Sequence, residues 1–521
     1  MVPRSLISLG AGVLSARAAA RLKGTGKGSR AQDATFSRLI PSLAVGSVWW
    51  DAGIEKAMTY ESFRKRVSPC THEMIAPAIE RMKKGESDVL WPGTCQIYAV
   101  TSGASTGVPR HIPVTEAMLA HFKSTHLDSL FWYTNRVSRT SVFKGRHMSL
   151  GGSIALARIV ESEPFEAYTG DMDAITALNV PGWAERAFSE PGAEISKIAD
   201  WQQKIPAIAA RAPKVNVTLV AGMPRCVLDL AEALRAGGTA GIGEIWPNLE
   251  CYFHGGVPVG PYQNELREEL GPTVNFHEVY LACEAFVAAQ DAEPTDGLRL
   301  MADAGVFFEF LPMSEYDPAR ITHLGPKLLP LSGVTAGVDY ALFVTTPGGL
   351  ARYLLGDVVR FLSTDPARLV PMGRTDQRLG TFGENVYEKD LTDALVSLCK
   401  RNSWKIVNFH VAPLFNDPTI RTNRGRHEWW VELQAGTNLT PTGPIMAPEL
   451  DAALIRSNRD YAAKRATGIL DAPFVRLVMP GVFEQWMRHH GLWGGTHKMP
   501  RCRNDRIIAD ELGGALQFAK D

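Results

Sequence analysis

Hydrophobic and polar positions alternate along this chain in two periods, and the switches between them outline its elements. Cys95 to Thr101 reads as a strand that ends in a glycine-bearing turn. Past Pro113, the positions Met118, Leu119, Phe122, Leu130 and Tyr133 repeat at helical spacing and predict a core helix. A strand from Val215 to Val220 leads into a helix starting near Pro224, and a third strand ends at His254 before Gly255 and Gly256. Short strands are expected around Val274 and from Val306 to Phe310. Strands alternating with helices indicate an α/β sheet, whose ligand belongs where strands end in loops.

From Tyr340 the texture changes. The runs Ala341 to Thr345, Ala351 to Leu355 and Val358 to Leu362 are separated by Pro347-Gly348-Gly349 and by Gly356, which predicts antiparallel hairpins. Beyond Gly380 come a helix near Lys389 to Cys399, a strand from Ile406, and a strand carrying Trp429, Trp430 and Val431 with one side in the core. One long helix is expected from about Pro448 to Thr467, followed by a strand near Val475 to Val478. This pattern suits a compact α+β domain. The expected division is a large N-terminal domain over 1–375 and a smaller C-terminal domain over 376–521, joined without a polar linker.

Composition narrows the class. With 55 basic and 55 acidic residues among 521, the chain has no net field for gathering a polyanion, so nucleic acid is not an expected partner. Its seven cysteines form no C-x-x-C pair, which opposes a disulfide framework and cysteine-held zinc and places the chain in a reducing, cytoplasmic setting. Residues 1–33 read as an amphipathic or disordered leader, a signal or transit peptide being the alternatives, since no acidic residue precedes Asp33. The uncharged stretch from Ser5 to Ala16 is too short to span a bilayer, and no later segment is long enough.

The first chemically informative segment is Thr101-Ser102-Gly103-Ala104-Ser105-Thr106-Gly107-Val108-Pro109-Arg110. A P-loop would need its second glycine at Val108, followed by Lys and a hydroxyl residue, and fails. Gly103-Ala104-Ser105-Thr106-Gly107 does match the G-x-S-x-G nucleophile elbow, but an elbow runs straight into a helix, and Pro109 and Pro113 interrupt one here. Two readings stay open: a loop whose N–H groups and hydroxyls wrap ATP phosphates with Arg110 as counter-charge, or an ordinary surface turn. His489, His490 and His497 lack the helical spacing of a metal site.

The loop resembles the signature of the adenylate-forming superfamily, and later segments agree in order. Tyr280-Leu281-Ala282-Cys283-Glu284-Ala285 is similar to its aromatic-to-glutamate motif, and Arg352-Tyr353-Leu354-Leu355-Gly356-Asp357 to its ribose motif. Gly373-Arg374-Thr375-Asp376 resembles its hinge, and His497-Lys498-Met499-Pro500-Arg501 its C-terminal lysine segment. Tyr60-Glu61-Ser62-Phe63-Arg64, Leu90-Trp91-Pro92-Gly93, Glu244-Ile245-Trp246-Pro247-Asn248-Leu249 and Gly481-Val482-Phe483 point to one branch, the Gretchen Hagen three family of acyl-acid amido synthetases. Ala104, Arg110, Cys283 and Ala285 depart from that family's usual threonine, lysine, serine and glycine.

The resemblance implies a large adenylate-forming domain with a smaller, mobile C-terminal domain. It also implies an ATP- and Mg2+-dependent ligase that converts a carboxylic acid into an acyl-adenylate and transfers the acyl group to an amine. Ser102, Gly103, Ser105, Thr106, Gly107 and Arg110 would meet the phosphates, Tyr280 the adenine, and Asp357 the ribose hydroxyls. Glu284 would hold Mg2+, Arg374 would meet phosphate or ribose, and Gly255 and Gly256 would let backbone approach the acyl-adenylate. Lys498, behind a mobile loop with Gly491, Gly494 and Gly495, would reach the reacting carboxylate through rotation near Asp376. The expected partners are a small acid and an amino acid or other amine, met by a monomer. An acyl-CoA ligase and a nucleotide-binding protein without catalysis are the competing readings.

Overall fold

The computed structural model describes residues 4–21, 26–101, 110–137, 139–239, 241–415, 424–434, 442–492 and 498–518. The chain divides into two compact units, one holding most residues up to Pro371 and the other Val257–Asn264 with the residues from Met372 onward. The passage between them falls on the strand Ala367–Arg374, slightly before the division expected after Thr375.

The first unit is built on an eleven-stranded mixed sheet. In order across the sheet the strands are Phe307–Pro312, Asp339–Thr345, Tyr353–Thr364, Ala367–Arg374, Leu298–Leu300, Ala285–Ala289, Asn275–Ala282, Cys251–Gly255, Val217–Gly222, Arg146–Leu150 and Ser189–Glu190. From Asn275–Ala282 to Ser189–Glu190 all pairings are parallel, whereas Asn275–Ala282 meets Ala285–Ala289 antiparallel. Parallel neighbours need crossovers. The helix Pro224–Ala236 supplies one, opening on proline and burying Val227, Leu230, Ala231 and Leu234 at the spacing of one helical face. Asn275–Ala282 is therefore the strand at which the sheet changes from crossovers to hairpins, and its C-terminal end lies beside both kinds of connection.

The two runs Ala351 to Leu355 and Val358 to Leu362, expected as separate strands, form the single strand Tyr353–Thr364. Gly356, with φ +88°, is a bulge rather than a turn. Between the pairs Ala341–Val358 and Phe343–Leu354, Leu355 to Asp357 lie opposite Leu342 alone, which takes Asp357 out of the regular ladder.

A four-stranded sheet joins Arg110–Pro113, Ile97–Thr101, Tyr168–Gly170 and Ala157–Arg158 in that order. The helix Glu116–Val137 buries Met118, Phe122, Trp132 and Tyr133, and beside them His121, Thr125, Asp128, Ser129 and Thr134. The leader expected over 1–33 holds helices instead: Arg4–Arg21, whose Ser15 hydroxyl donates to Phe131 O at 2.7 Å, and Lys27–Leu43, which buries Phe36, Leu39, Ile40 and Leu43. Gln32 is sewn into the core, donating to Ala302 O and Val306 O and accepting from Phe308 N. Among the described residues no helix is long and apolar enough to cross a membrane.

The second unit is an α+β layer structure. Its sheet runs Ile406–Phe415, Gly425–Leu433, Phe474–Val478, the first pair antiparallel and the second parallel. Helices cover both faces, so Trp429 and Trp430 are both buried, in two different clusters, not one inside and one out. The single helix expected from Pro448 to Thr467 is two, Gly443–Ser457 and Arg459–Ala466. Asn458 breaks it: its backbone is extended, and its side chain accepts from Tyr461 N at 2.9 Å as the cap of the second helix.

Candidate active site

The glycine-rich segment is the connection of an antiparallel hairpin. Thr101 pairs with Arg110, and the chain leaves the segment into the strand Arg110–Pro113. A nucleophile elbow must enter a helix, so this strand excludes the elbow reading. Ser102, Gly103, Ser105, Thr106 and Gly107 lie outside the described residues. At the base of the hairpin Arg110 pairs with Glu73 at 2.7 Å. Cys283 ties the same base to the central sheet, its thiol 3.5 Å from Val100 O.

Gly255 ends the parallel strand Cys251–Gly255, opposite Val279. A Cβ there would stand 2.3 Å from Val279 O, so no other residue fits without moving the strands. Gly256 follows with φ +80°. One strand further, Tyr280 donates its hydroxyl to Asp357 Oδ2 at 2.6 Å. Glu284, buried in the turn after Asn275–Ala282, accepts at 3.2 Å from the hydroxyl of Tyr353. Burial first, and then the charge of Glu284, pushes the Tyr353 hydroxyl well above its ordinary pKa, so it stays a neutral donor, while the Arg110 charge acts the other way. Around the C-terminal end of the strand Asn275–Ala282, Tyr280 with Asp357 and Glu284 with Tyr353 thus make two hydrogen-bonded pairs, and Arg110 acts by its charge on Tyr353.

In and around these pairs stand residues to which the motif reading gave no role. Tyr353 is one. His72 lies with its ring 6.5 Å from that of Tyr353, and burial, followed by the Arg110 charge, holds it down to about 4. Beneath them Arg352 and Glu309 form a fully buried ion pair. The Arg352 guanidinium donates twice to Glu309 and once each to Arg64 O, Val67 O and Gly325 O, with all five N–H groups used. Its backbone, at φ +48°, accepts from Cys70 N, and Leu354 N donates to Cys70 O. Arg352 heads the ribose motif, but nothing in that motif names Glu309 as its partner.

Arg374, Asp376 and Lys498 belong to the second unit. Arg374 and Asp376 approach within 3.6 Å across a short turn. Lys498 is exposed, immediately before Met499, which is buried against the cluster containing Trp430 and Phe483. The residues after Met499 are fixed: Val411 N donates to Arg501 O and Arg503 N to Val411 O.

Among the described residues no group of three or more His, Cys, Asp or Glu side chains is arranged to hold a metal. Glu284, a buried carboxylate held by Tyr353, suits Mg2+, a hard ion that takes one or two protein oxygens and the rest from phosphates and water.

Known proteins match this arrangement along the chain. The GH3 family N-terminal domain matches residues 23–275, the GH3 family central domain 299–370, and the GH3 family C-terminal domain 389–507. "Probable indole-3-acetic acid-amido synthetase GH3.12" of Oryza sativa subsp. japonica is 23% identical, covering 94% of this chain and 93% of its own. "Indole-3-acetic acid-amido synthetase GH3.10" of Arabidopsis thaliana is 30% identical over 57% of this chain and 52% of its own. The solved GH3.15 acyl acid amido synthetase superposes with a TM-score of 0.70 at 16% identity, covering 94% of this chain and 93% of that one. A 2-hydroxyisobutyryl-CoA ligase in its postadenylation state gives 0.61 at 15% identity over 96% and 94%, so the fold is shared with that ligase. Three successive domains of one family, in order and over most of the length, make this chain a member of the GH3 family.

Proposed function

We propose that this protein is an ATP-dependent acid–amino acid ligase. It activates a carboxylic acid as the acyl-adenylate with release of pyrophosphate, then passes the acyl group to an amine to give an amide and AMP. A free carboxylate repels nucleophiles and has no good leaving group, and adenylation removes both obstacles. The observation that carries the reading is the two hydrogen-bonded pairs, Tyr280–Asp357 and Tyr353–Glu284, with Arg110 acting by charge on Tyr353, around the C-terminal end of the strand Asn275–Ala282, where an open α/β sheet binds ligands.

In this reading Asp357 accepts hydrogen bonds from the ribose hydroxyls and the Tyr280 ring faces adenine. The loop residues Ser102, Gly103, Ser105, Thr106 and Gly107 wrap the phosphates, with Arg110 at their base as counter-charge. Backbone at Gly255 and Gly256 lies against the acyl-adenylate. Glu284 is the protein ligand for Mg2+, which when bound neutralises charge on the phosphates. Arg374 meets phosphate or ribose, and rotation near Asp376 brings Lys498 to the carboxylate being activated. Free thiols at all seven cysteines suit a cytoplasmic enzyme, acting as a monomer on small substrates.

The acids named for the relatives set the first panel: indole-3-acetic acid, jasmonic acid and 2,4-DB. Acid-dependent exchange of pyrophosphate into ATP is expected with at least one acid of an indolic, aromatic and fatty panel, and amide product once amino acids are added. No exchange with any acid despite measurable ATP binding would leave a nucleotide-binding protein. Thioester formation with coenzyme A in place of amide would leave an acyl-CoA ligase.

A further inference from the structure

The two carboxylates of these pairs stand in motifs with the same spacing: Tyr280 precedes Glu284 by four residues, and Tyr353 precedes Asp357 by four. Their hydroxyls cross between the motifs: Tyr280 donates to Asp357 and Tyr353 donates to Glu284. We infer that Tyr280 and Tyr353 are positioning residues, each orienting the carboxylate of the other motif, Tyr280 for the ribose and Tyr353 for the metal. The inference rests on the nucleotide site proposed above and assigns two hydroxyls roles of their own within it.

The physical case starts from burial. Tyr280 is 9% exposed, Tyr353 1% and Glu284 6%, so the hydrogen bonds form where an unpartnered carboxylate would be costly. A tyrosine hydroxyl offers a donor without a compensating positive charge. The carboxylate keeps its negative charge for a cation or for ribose hydroxyls, and one oxygen is fixed in direction. A lysine or arginine in the same place would satisfy the carboxylate and compete with the ligand for it.

Each tyrosine is itself held. Tyr353 follows Arg352, whose guanidinium is anchored at five acceptors and whose backbone is bonded to Cys70. Tyr280 lies in the ladder with Ala285–Ala289, opposite Ala288. Asp357 reaches Tyr280 because the bulge at Leu355 to Asp357 releases it from the regular register. The crossing also links the two motifs mechanically: the metal carboxylate is carried on the turn after one strand but oriented from the other, and the ribose carboxylate the reverse.

Two equilibrium ratios separate the roles, both measured by nucleotide-binding calorimetry on the full-length protein. The first is the preference for ATP over 2′-deoxy-ATP, which reads Asp357. The second is the gain in ATP affinity on replacing EDTA by Mg2+, which reads Glu284. Tyr280→Phe is expected to lower the first ratio by about tenfold, the loss of one hydrogen bond to a charged group, and to leave the second. Tyr353→Phe is expected to lower the Mg2+ gain by about the same factor and to leave the ribose preference. Ratios of dissociation constants do not depend on the folded fraction, so a less stable variant still answers.

Both variants moving both ratios alike, or neither moving its own, would overturn the inference. Asp357→Ala and Glu284→Ala are the controls. If they too leave their ratios unchanged, the nucleotide site itself is misassigned. If they abolish them while the phenylalanine variants do not, only the positioning roles fall.

Discussion

Lys498 shows what one residue's setting decides. The sequence places it behind glycines, of which Gly491 alone lies within the described residues, with φ +66°. On its other side the chain is fixed: Met499 is buried, Pro500 O lies 2.8 Å from His410 Nδ1, and Arg501 and Arg503 pair alongside the strand Ile406–Phe415 through two backbone bonds at Val411. Lys498 is thus exposed on a base whose C-terminal side is fixed. In the proposed mechanism it neutralises charge growing on the carboxylate oxygen and α-phosphate as pyrophosphate leaves. Removing one preorganised donor of this kind costs about a hundred- to thousand-fold in rate. Lys498→Ala is thus expected to slow adenylate formation by that factor and to slow aminolysis of a supplied acyl-adenylate far less. Single-turnover measurement of the two half-reactions checks it, and equal slowing of both would make Lys498 a surface residue.

At the scale of elements, the strand Tyr353–Thr364 depends on the Arg352–Glu309 clamp at its head. The clamp joins the end of the helix Tyr60–Arg66, the strand Phe307–Pro312, the turn at Gly325 and the segment before Tyr353. Tyr60 adds its hydroxyl to Glu309 Oε1 at 3.0 Å. Breaking a buried pair by deleting one partner leaves the other charge uncompensated and costs about 3–5 kcal/mol. Arg352→Met is expected to destabilise the first unit by that amount in urea titrations. Arg352→Met combined with Glu309→Leu should recover part of the loss, because no charge is then stranded. A double variant as unstable as the single one would mean that the carbonyl contacts to Arg64, Val67 and Gly325, and not the ion pair, hold the strand.

For the whole molecule, buried histidines set the acid limit. Burial pushes His121, His254 and His410 down to about 4 from an ordinary value of 6.5. With the folded value below the unfolded one, nothing is lost above pH 6.5. Below it the unfolded chain takes up protons that the folded chain refuses, so stability falls from pH 6.5 toward 4, by up to about 3 kcal/mol per histidine. Glu384 acts lower still: burial raises its pKa, but the buried His427 beside it holds it below the usual carboxylate value, and the stabilisation that gives is lost on further acidification. Stability measured by denaturant at pH 8, 6 and 5 should decline steadily. His254→Leu should flatten the decline for the first unit and leave that of the second, which contains His410. An unchanged slope in the variant would place the acid sensitivity elsewhere.

The alternation of strands and helices, the core face of Glu116–Val137 and the motifs around Glu284, Asp357 and Lys498 were legible in the chain, because side-chain period and residue chemistry are local properties. Local signals also misled where neighbours decided the outcome. Gly356 carries the mark of a turn and is a bulge, because the ladder continues on both sides of it. Asn458 carries the mark of a cap and breaks an otherwise continuous helical pattern. The polar face of Glu116–Val137, where Ser129 meets His277 at 3.0 Å, has no signature, since its partners come from a distant strand. The crossing of the tyrosine hydroxyls is the clearest case. Each pair spans about seventy residues or more, and which carboxylate a hydroxyl reaches is fixed by sheet order and strand register. Spacing within a motif supplies the groups, and only the packed sheet chooses their partners.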